Sequence, residues 1–162
     1  MATLPPFQEL IDAHGRDVLR FLVGTVGPHD AEDCFQETFI SALRSYDGLE
    51  HAGNLKGWLL TIAHRKAIDH HRARTRSPVP AGSADEVGGG VAVADKEVET
   101  AGEGGEFWRL VGVLPPKQRS AVVLRFATDM AYGQIAKTLD ISSDAARRNV
   151  HEGLKKLKGE LS

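Results

Sequence analysis

The stretch from Leu114 to Lys158 limits the fold of this chain more than any other part of the sequence. It carries three successive helical patterns, with a tight break between the second and the third. The first pattern follows Pro115-Pro116, a pair that stops a preceding helix, and its apolar residues at helical spacing are Val122, Val123 and Phe126. The second pattern runs from about Tyr132 to Leu139. Three such segments predict a helix-turn-helix.

The break between the second and third helices has the residues that a tight turn needs. Asp140 stands where the backbone is expected to be left-handed, a conformation that Gly, Asn and Asp tolerate best. Ile141 is expected to pack into the angle between the two helices. Ser142 or Ser143 can then cap the third helix.

The third helix separates an apolar face from a charged one. Its inward positions recur at helical spacing and are Ala146, Val150, Leu154 and Leu157. The opposite face presents Arg147, Arg148, His151 and Glu152 together, with Lys155 and Lys156 beyond them. A short basic helix seated on two others is the geometry by which such motifs enter the DNA major groove. The alternative is a solvated basic face on an ordinary helical bundle, but the turn and the caps favour DNA binding.

Length and composition exclude several classes of protein. With 162 residues the chain fits one domain of usual size or two small ones, and 41% apolar residues suffice for helical cores. Cys34 is the only cysteine, so no internal disulfide can form. The sequence shows neither a signal peptide nor an apolar run of transmembrane length. These features exclude a membrane-spanning protein and predict a cytoplasmic one.

The net charge of −2 conceals four blocks of alternating sign. Counting Lys and Arg against Asp and Glu gives −6 for residues 1–53, +5 for 54–76, −6 for 77–106 and +5 for 107–162. Two basic surfaces separated by an acidic spacer are what a protein that grips DNA at two places would show. The acidic first block predicts a basic protein partner.

Two amphipathic helices are predicted in the first block. One opens at Pro5 and Pro6, ends at Gly24 to Pro28, and places on one stripe Phe7, Leu10, Ile11, His14, Val18, Phe21 and Leu22. The other is expected to be capped by Asp30 and to bury Phe35, Thr38, Phe39, Ala42, Leu43 and Tyr46.

The outer side of this second helix carries Asp33, Gln36 and Glu37, a set that we call the acidic face. Their spacing of three and four residues places them side by side. Carboxylate and amide groups in this arrangement are suited to pairing with arginines of another protein. The alternative is a solvated helix face.

A third amphipathic helix is predicted after the break at Asp47-Gly48, with Asn54 as its cap. Its inner face is formed by Leu55, Trp58, Leu59 and Ile62. Beyond Ala63 the helix becomes basic, which suits both a helix C-terminus and DNA phosphates. The cations are Arg65, Lys66, Arg72, Arg74 and Arg76. His64, His70 and His71 with Asp69 resemble metal ligands, but no second ligand set stands at a recognised spacing, and we predict no metal and no cofactor.

Residues 77–106 differ in character from both flanking segments. They are rich in Gly and Pro, carry seven acidic residues and contain few large apolar side chains, so we expect a flexible linker. The run Gly88-Gly89-Gly90 is not a phosphate loop, because no Gly-Lys-Ser/Thr follows it. The sequence therefore predicts an all-α protein with small helical domains at 1–76 and 107–162.

Three segments resemble one known family when they are taken together. They are Asp30 to Leu43 (DAEDCFQETFISAL), Trp58 to Arg72 (WLLTIAHRKAIDHHR) and Leu114 to Leu157. A helix-turn-helix alone is shared by many regulators, whereas these three motifs in this order are highly specific. The chain resembles a sigma factor of bacterial RNA polymerase, of the extracytoplasmic-function class of the sigma-70 family, which keeps only conserved regions 2 and 4.

The resemblance implies a role for each basic or acidic surface. The acidic face would contact the coiled coil of the polymerase's largest subunit, and region 4 would contact the polymerase flap. The third helix and the loop before it would bind and open the minus-10 promoter element through Trp58, Arg65, Lys66, Arg72, Arg74 and Arg76. The minus-35 element would be read by Arg147, Arg148, His151 and Glu152, with Lys155 on phosphate. An anti-sigma factor is a further candidate partner, and no membrane contact is expected.

The loop before the third helix offers few flat side chains that could stack on an extruded base. Only Tyr46 and His51 qualify there, whereas a strong melting region would be expected to offer several. We therefore predict limited melting and a strict dependence on promoter sequence.

Two other functional classes are alternatives to this interpretation. The chain has no nucleophile, base and orienting group at plausible spacing, so we predict that it is not an enzyme. A promoter-binding regulator with an unrelated N-terminal domain is the nearest alternative, and co-purification with core polymerase would separate the two. A metal-dependent hydrolase built on His64 to His71 is the more distant one.

Overall fold

The computed structural model describes residues 4–49, 53–76 and 105–161. In these residues it contains seven α-helices and no β-strand, which confirms the prediction of an all-α protein. The helices are α1 (Phe7–Val26), α2 (Pro28–Tyr46), α3 (Leu55–Arg76), α4 (Gly105–Val111), α5 (Pro116–Phe126), α6 (Tyr132–Leu139) and α7 (Ser143–Leu161). Most of the predicted linker, residues 77–104, lies outside the described residues.

Helices α1, α2 and α3 pack on one another and form the N-terminal bundle. Its centre consists of fully buried apolar side chains: Leu10, Val18, Phe21, Leu22, Ala42 and Leu59. Asn54 caps α3 as predicted, because its Oδ1 accepts a hydrogen bond from the Gly57 backbone N–H at 3.1 Å.

The junction between α1 and α2 confirms the predicted end of α1 but not the predicted cap of α2. Helix α1 continues through Gly24 to Val26, and the chain turns at Gly27, whose φ of 95° favours glycine. Helix α2 then begins at Pro28, a residue suited to the first helical position. Asp30 therefore lies inside the first turn of α2, and the prediction that it caps the helix was wrong.

Helices α4 to α7 form the C-terminal bundle, in which the helix-turn-helix lies where the sequence predicts it. Helix α6 spans the predicted residues, and Asp140 after it is left-handed at φ 58° and ψ 50°. Ile141 is half-buried against the core, as expected. Ser142 rather than Ser143 caps α7, since its Oγ accepts a hydrogen bond from the Ala145 N–H at 3.0 Å.

Two apolar residues that belong to predicted apolar faces are exposed. Leu43 and Phe126 keep 56% and 53% of their surface exposed. Leu43 follows the buried Ala42 by one residue, which rotates it about 100° away from the inner stripe. An apolar residue at the margin of a helical stripe can thus be exposed while the centre of the stripe is buried.

Gly153 on α7 packs closely against α5, and it provides a test of this packing. A Cβ at this position would lie 2.6 Å from Val122 Cγ2. We expect Gly153→Ala to lower the free energy of unfolding by about 1–3 kcal/mol, as overpacking does in cores. Gly159→Ala is the matched control, because a Cβ there meets nothing within 4 Å and should stabilise α7 by up to about 1 kcal/mol. Thermal denaturation of both variants measures the difference, and equal melting temperatures would contradict the packing.

Candidate nucleic-acid interface

The exposed face of α7 is the first candidate surface. Arg147, Arg148, His151, Glu152 and Lys155 are all exposed, while Ala146, Val150 and Leu157 on the opposite side are buried. The predicted division of this helix into a buried and an exposed face is therefore confirmed. We refer to α7 as the recognition helix.

Arg147 is held in position by two neighbours. Its guanidinium carbon lies 5.1 Å from the centre of the Tyr132 ring, and its Nη1 lies 3.8 Å from Asp144 Oδ1. The guanidinium carbon of Arg125 lies 4.5 Å from the centre of the same ring, so two cations contact Tyr132. This arrangement limits the freedom of the Arg147 side chain before any ligand binds.

Glu152 has a partner that sequence reasoning missed. Gln118 on α5 donates a hydrogen bond from Nε2 to Glu152 Oε2 at 3.2 Å. Gln118 is only 9% exposed, which is unusual for an amide side chain. Its hydrogen bond orients the carboxylate of Glu152. Because the two residues are 34 positions apart, no local sequence pattern predicts this contact.

The basic half of α3 is the second candidate surface, and its cations differ in their surroundings. Arg65 and Arg72 are exposed, whereas Lys66 is half-buried. Arg74 Nη1 lies 3.3 Å from Asp30 Oδ2, and the same oxygen lies 3.0 Å from His70 Nε2. Part of the charge of Arg74 is therefore neutralised within the bundle. The side chain of Arg76 lies outside the described part.

Two aromatic residues near the start of α3 pack inward. Trp58 is half-buried, with its ring centre 6.2 Å from that of Tyr46. Tyr46 is only 6% exposed, and its hydroxyl donates a hydrogen bond to the Pro5 carbonyl oxygen. The prediction that Tyr46 offers a stacking platform for an extruded base was therefore wrong. His51 lies outside the described residues.

The acidic face of α2 is fully available at the surface. Asp33, Gln36 and Glu37 are all exposed on one side of the helix. Two exposed apolar residues, Ile40 at 50% and Leu43 at 56%, continue the same side toward the end of α2. This apolar extension was not predicted, although the spacing of positions 33, 36, 40 and 43 is helical.

No group of three or more His, Cys, Asp or Glu side chains that could hold a metal ion occurs in the part of the chain that the structure describes. Cys34 is buried in the N-terminal bundle. Burial and then the neighbouring carboxylate of Glu37 raise the pKa of this thiol to about 11, so it stays protonated at neutral pH.

Burial lowers the pKa of three histidines. The pKa of His64 lies below its ordinary value because of burial and then the charge of Arg65, and burial also lowers the pKa of His14 and His71. The Nε2 of His71 lies 3.0 Å from the Thr25 carbonyl oxygen, a contact that partly opposes the shift. These histidines are therefore neutral in the folded protein near neutral pH.

The lowered pKa values predict a stability that falls on acidification. Below about pH 6.5 the unfolded chain binds protons that the folded chain does not, so the free energy of unfolding decreases as pH falls. We expect a lower melting temperature at about pH 5.5 than at about pH 7.5. His64→Gln removes one of these groups and should show a smaller pH dependence. A dependence of unchanged size would assign the effect to other residues.

A helix-turn-helix bundle with an exposed basic helix is typical of DNA-binding proteins. Residues 10–77 match the family Sigma-70 region 2, and residues 104–157 match Sigma-70, region 4. The chain is 30% identical to the ECF RNA polymerase sigma factor SigE of Mycolicibacterium smegmatis over 164 residues, covering 99% of this chain and 63% of that relative. It is also 30% identical to SigX of Bacillus subtilis, covering 96% of this chain and 83% of the relative.

Solved structures share the fold at lower identity. The sigma factor RpoE of Bartonella quintana, solved in complex with the anti-sigma factor NepR, superposes with a TM-score of 0.73 at 19% identity and covers 96% of each chain. CnrH, solved with the cytosolic domain of CnrY, gives a TM-score of 0.69 at 21% identity and covers 96% of this chain and 86% of CnrH.

The chain belongs to the extracytoplasmic-function sigma factors of the sigma-70 family. It is a sigma factor, which directs core RNA polymerase to promoters. None of the described helices is long and apolar enough to cross a bilayer.

Proposed function

We propose that the acidic face of α2 binds core RNA polymerase, that α3 binds the minus-10 element, and that the recognition helix reads the minus-35 element. The observation that carries this proposal is the exposure of Asp33, Gln36 and Glu37 on one bundle together with that of Arg147 and its neighbours on the other. A surface of carboxylates suits a basic protein partner, and a surface of arginines suits DNA. The protein thus binds the polymerase and the DNA with different surfaces.

The promoter contacts divide into two kinds. Arg65, Arg72 and Lys155 are exposed cations on the two candidate surfaces, which suits phosphate contact. Arg147 and Glu152 are each positioned by a neighbour, which suits readout of base edges. We assign sequence discrimination at the minus-35 element to the second group.

Residues 1–76 and 107–162 act as regions 2 and 4, and residues 77–106 act as the spacer between them. The chain works in the cytoplasm with the polymerase and has no catalytic activity of its own. The anti-sigma factor NepR, solved in complex with RpoE, supports an anti-sigma factor as a regulator of this chain as well.

Run-off transcription with core polymerase tests the proposal. Core polymerase of the source bacterium, with and without this protein, is incubated with fragments of the native genome. We expect discrete transcripts that require the protein. Co-purification with core polymerase separates a sigma factor from an independent promoter-binding regulator. DNA binding without either result would favour the regulator.

A further inference from the structure

Helix α3 and the helix-turn-helix enclose a cavity of about 300 Å³. Helix α3 forms one wall, and α5, α6 and α7 contribute to the other. The apolar part of the lining consists of Ala67, Ile68, Pro116, Leu139 and Ile141. Pro116 and Lys117 at the start of α5 are exposed, so the cavity opens to solvent on their side. The space is therefore largely apolar inside and reachable from outside.

Two polar side chains that line this cavity, one from each wall, have unused hydrogen-bonding atoms. Nδ1 of His64 on α3 and Nε of Arg119 on α5 are buried and have no hydrogen-bond partner among the described residues. The whole Arg119 side chain is deeply placed, since the residue is only 7% exposed. A buried donor without an acceptor costs free energy. Both atoms therefore favour a molecule in the cavity that completes their hydrogen bonding.

The charge of Arg119 is not neutralised by a carboxylate in the part of the chain that the structure describes. Its terminal nitrogens donate to the carbonyl oxygens of Gly112, Leu114 and Thr25, at 3.1, 2.9 and 3.5 Å. None of the described lining residues is Asp or Glu. Burial lowers the pKa of this guanidinium, as it does for a poorly compensated cation. An anion in the cavity would supply the missing charge, and Lys117 at the opening would also attract it.

We propose that this cavity binds a small amphipathic carboxylate, with its apolar body against Ile68 and Leu139 and its carboxylate on Nε of Arg119. A charged hydrogen bond of this kind is stronger than a neutral one. His64, in the tautomer that carries its proton on Nδ1, supplies a second donor. An apolar cavity of roughly 150 Å³ holds benzene, so a cavity of about 300 Å³ admits a molecule of about ten heavy atoms. This site does not depend on the proposed promoter contacts.

Isothermal titration calorimetry of the full chain with octanoate tests the proposal. We expect saturable binding with a Kd at or below about 1 mM, since a molecule of this size contributes few contacts. Octanol and octylamine should bind at least about tenfold more weakly, because neither offers an anion to Arg119. A parallel titration with 3-phenylpropionate distinguishes an aromatic body from an aliphatic one. Failure of both carboxylates to bind would overturn the proposal, and octanol binding as tightly as octanoate would overturn the assignment to an anion.

Substitutions that fill the cavity locate the bound molecule. Ile68→Trp fills the cavity from α3 and Leu139→Phe fills it from α6, so each should weaken octanoate binding at least about tenfold. Ile40→Trp is the matched control, because it makes the same replacement at a 50% exposed position on α2, outside the cavity. Circular dichroism checks that each variant folds.

Nuclear Overhauser contacts in the unmodified protein locate octanoate without any substitution. We expect them between octanoate and the methyl groups of Ile68 and Leu139, which lie on opposite walls of the cavity. This measurement decides the matter if neither cavity-filling variant folds. Contacts to other parts of the chain, or unchanged affinity in a folded cavity-filling variant, would overturn the site.

Discussion

We expect the double substitution Asp33→Arg and Glu37→Arg to lower the affinity for core RNA polymerase on the order of 100-fold, because like charges across an interface cost several kcal/mol. Both side chains are exposed on α2, so the fold should be retained. Helical circular dichroism and the melting temperature check that retention. Binding of labelled core polymerase measures the affinity.

The control for this prediction is a charge reversal of equal size elsewhere. Glu9 and Asp12 are exposed on α1 at a similar helical spacing, and reversing both changes the net charge by the same amount. We expect this control to bind core polymerase nearly as well as the unmodified protein. Affinity should be measured at several salt concentrations, because peripheral charges act mainly on the association rate. Equal losses in both variants would show that net charge, and not the acidic face, governs binding.

The helix-turn-helix shows how much of the fold could be predicted from the sequence. The bounds of α6, the left-handed Asp140 and a serine cap for α7 depend on residues within a few positions of one another. Local steric and hydrogen-bonding rules govern such features, so a single sequence contains the information. The same reasoning placed the acidic face of α2 and the exposed face of α7 on the surface.

The features that were missed depend on contacts between distant parts of the chain. Tyr46 is buried because its hydroxyl meets Pro5, 41 positions away, and Glu152 is positioned by Gln118. Arg119 reaches Thr25 across 94 positions to connect the two bundles. Helical periodicity gives the orientation of a side chain on its own helix, but it does not give the neighbour that this side chain will meet.

The burial of Tyr46 changes the expectation for promoter melting in a definite direction. Two flat side chains before α3 were predicted to be able to stack on an extruded base, and one of them, Tyr46, is buried in the N-terminal bundle against Phe7. Base stacking contributes about 1–3 kcal/mol per base, so each platform lost must be offset by other contacts. The loss of this platform agrees with the prediction of a strict dependence on promoter sequence. We therefore expect the recognition helix to contribute more of the sequence discrimination.

Arg147→Ala is expected to cost about 1–3 kcal/mol in binding at a good minus-35 site and to relax the preference at one base position. The Tyr132 ring and Asp144 restrict this guanidinium, so less freedom is lost when it pairs with a base edge. Lys155→Ala is the matched control on the same helix. Its exposed ammonium is suited to phosphate, and its loss should weaken all sequences alike.

Transcription by the holoenzyme across single-base variants of the minus-35 site distinguishes these outcomes. A change of preference at one position with Arg147→Ala, and a uniform loss with Lys155→Ala, is the expected pair of results. Uniform weakening by Arg147→Ala would make Arg147 a phosphate contact. A change of specificity with Glu152→Arg would instead place promoter choice at Glu152, whose carboxylate Gln118 holds toward the same face. In that case Gln118→Leu, which removes the hydrogen bond but leaves the charge, should weaken discrimination at the same base position.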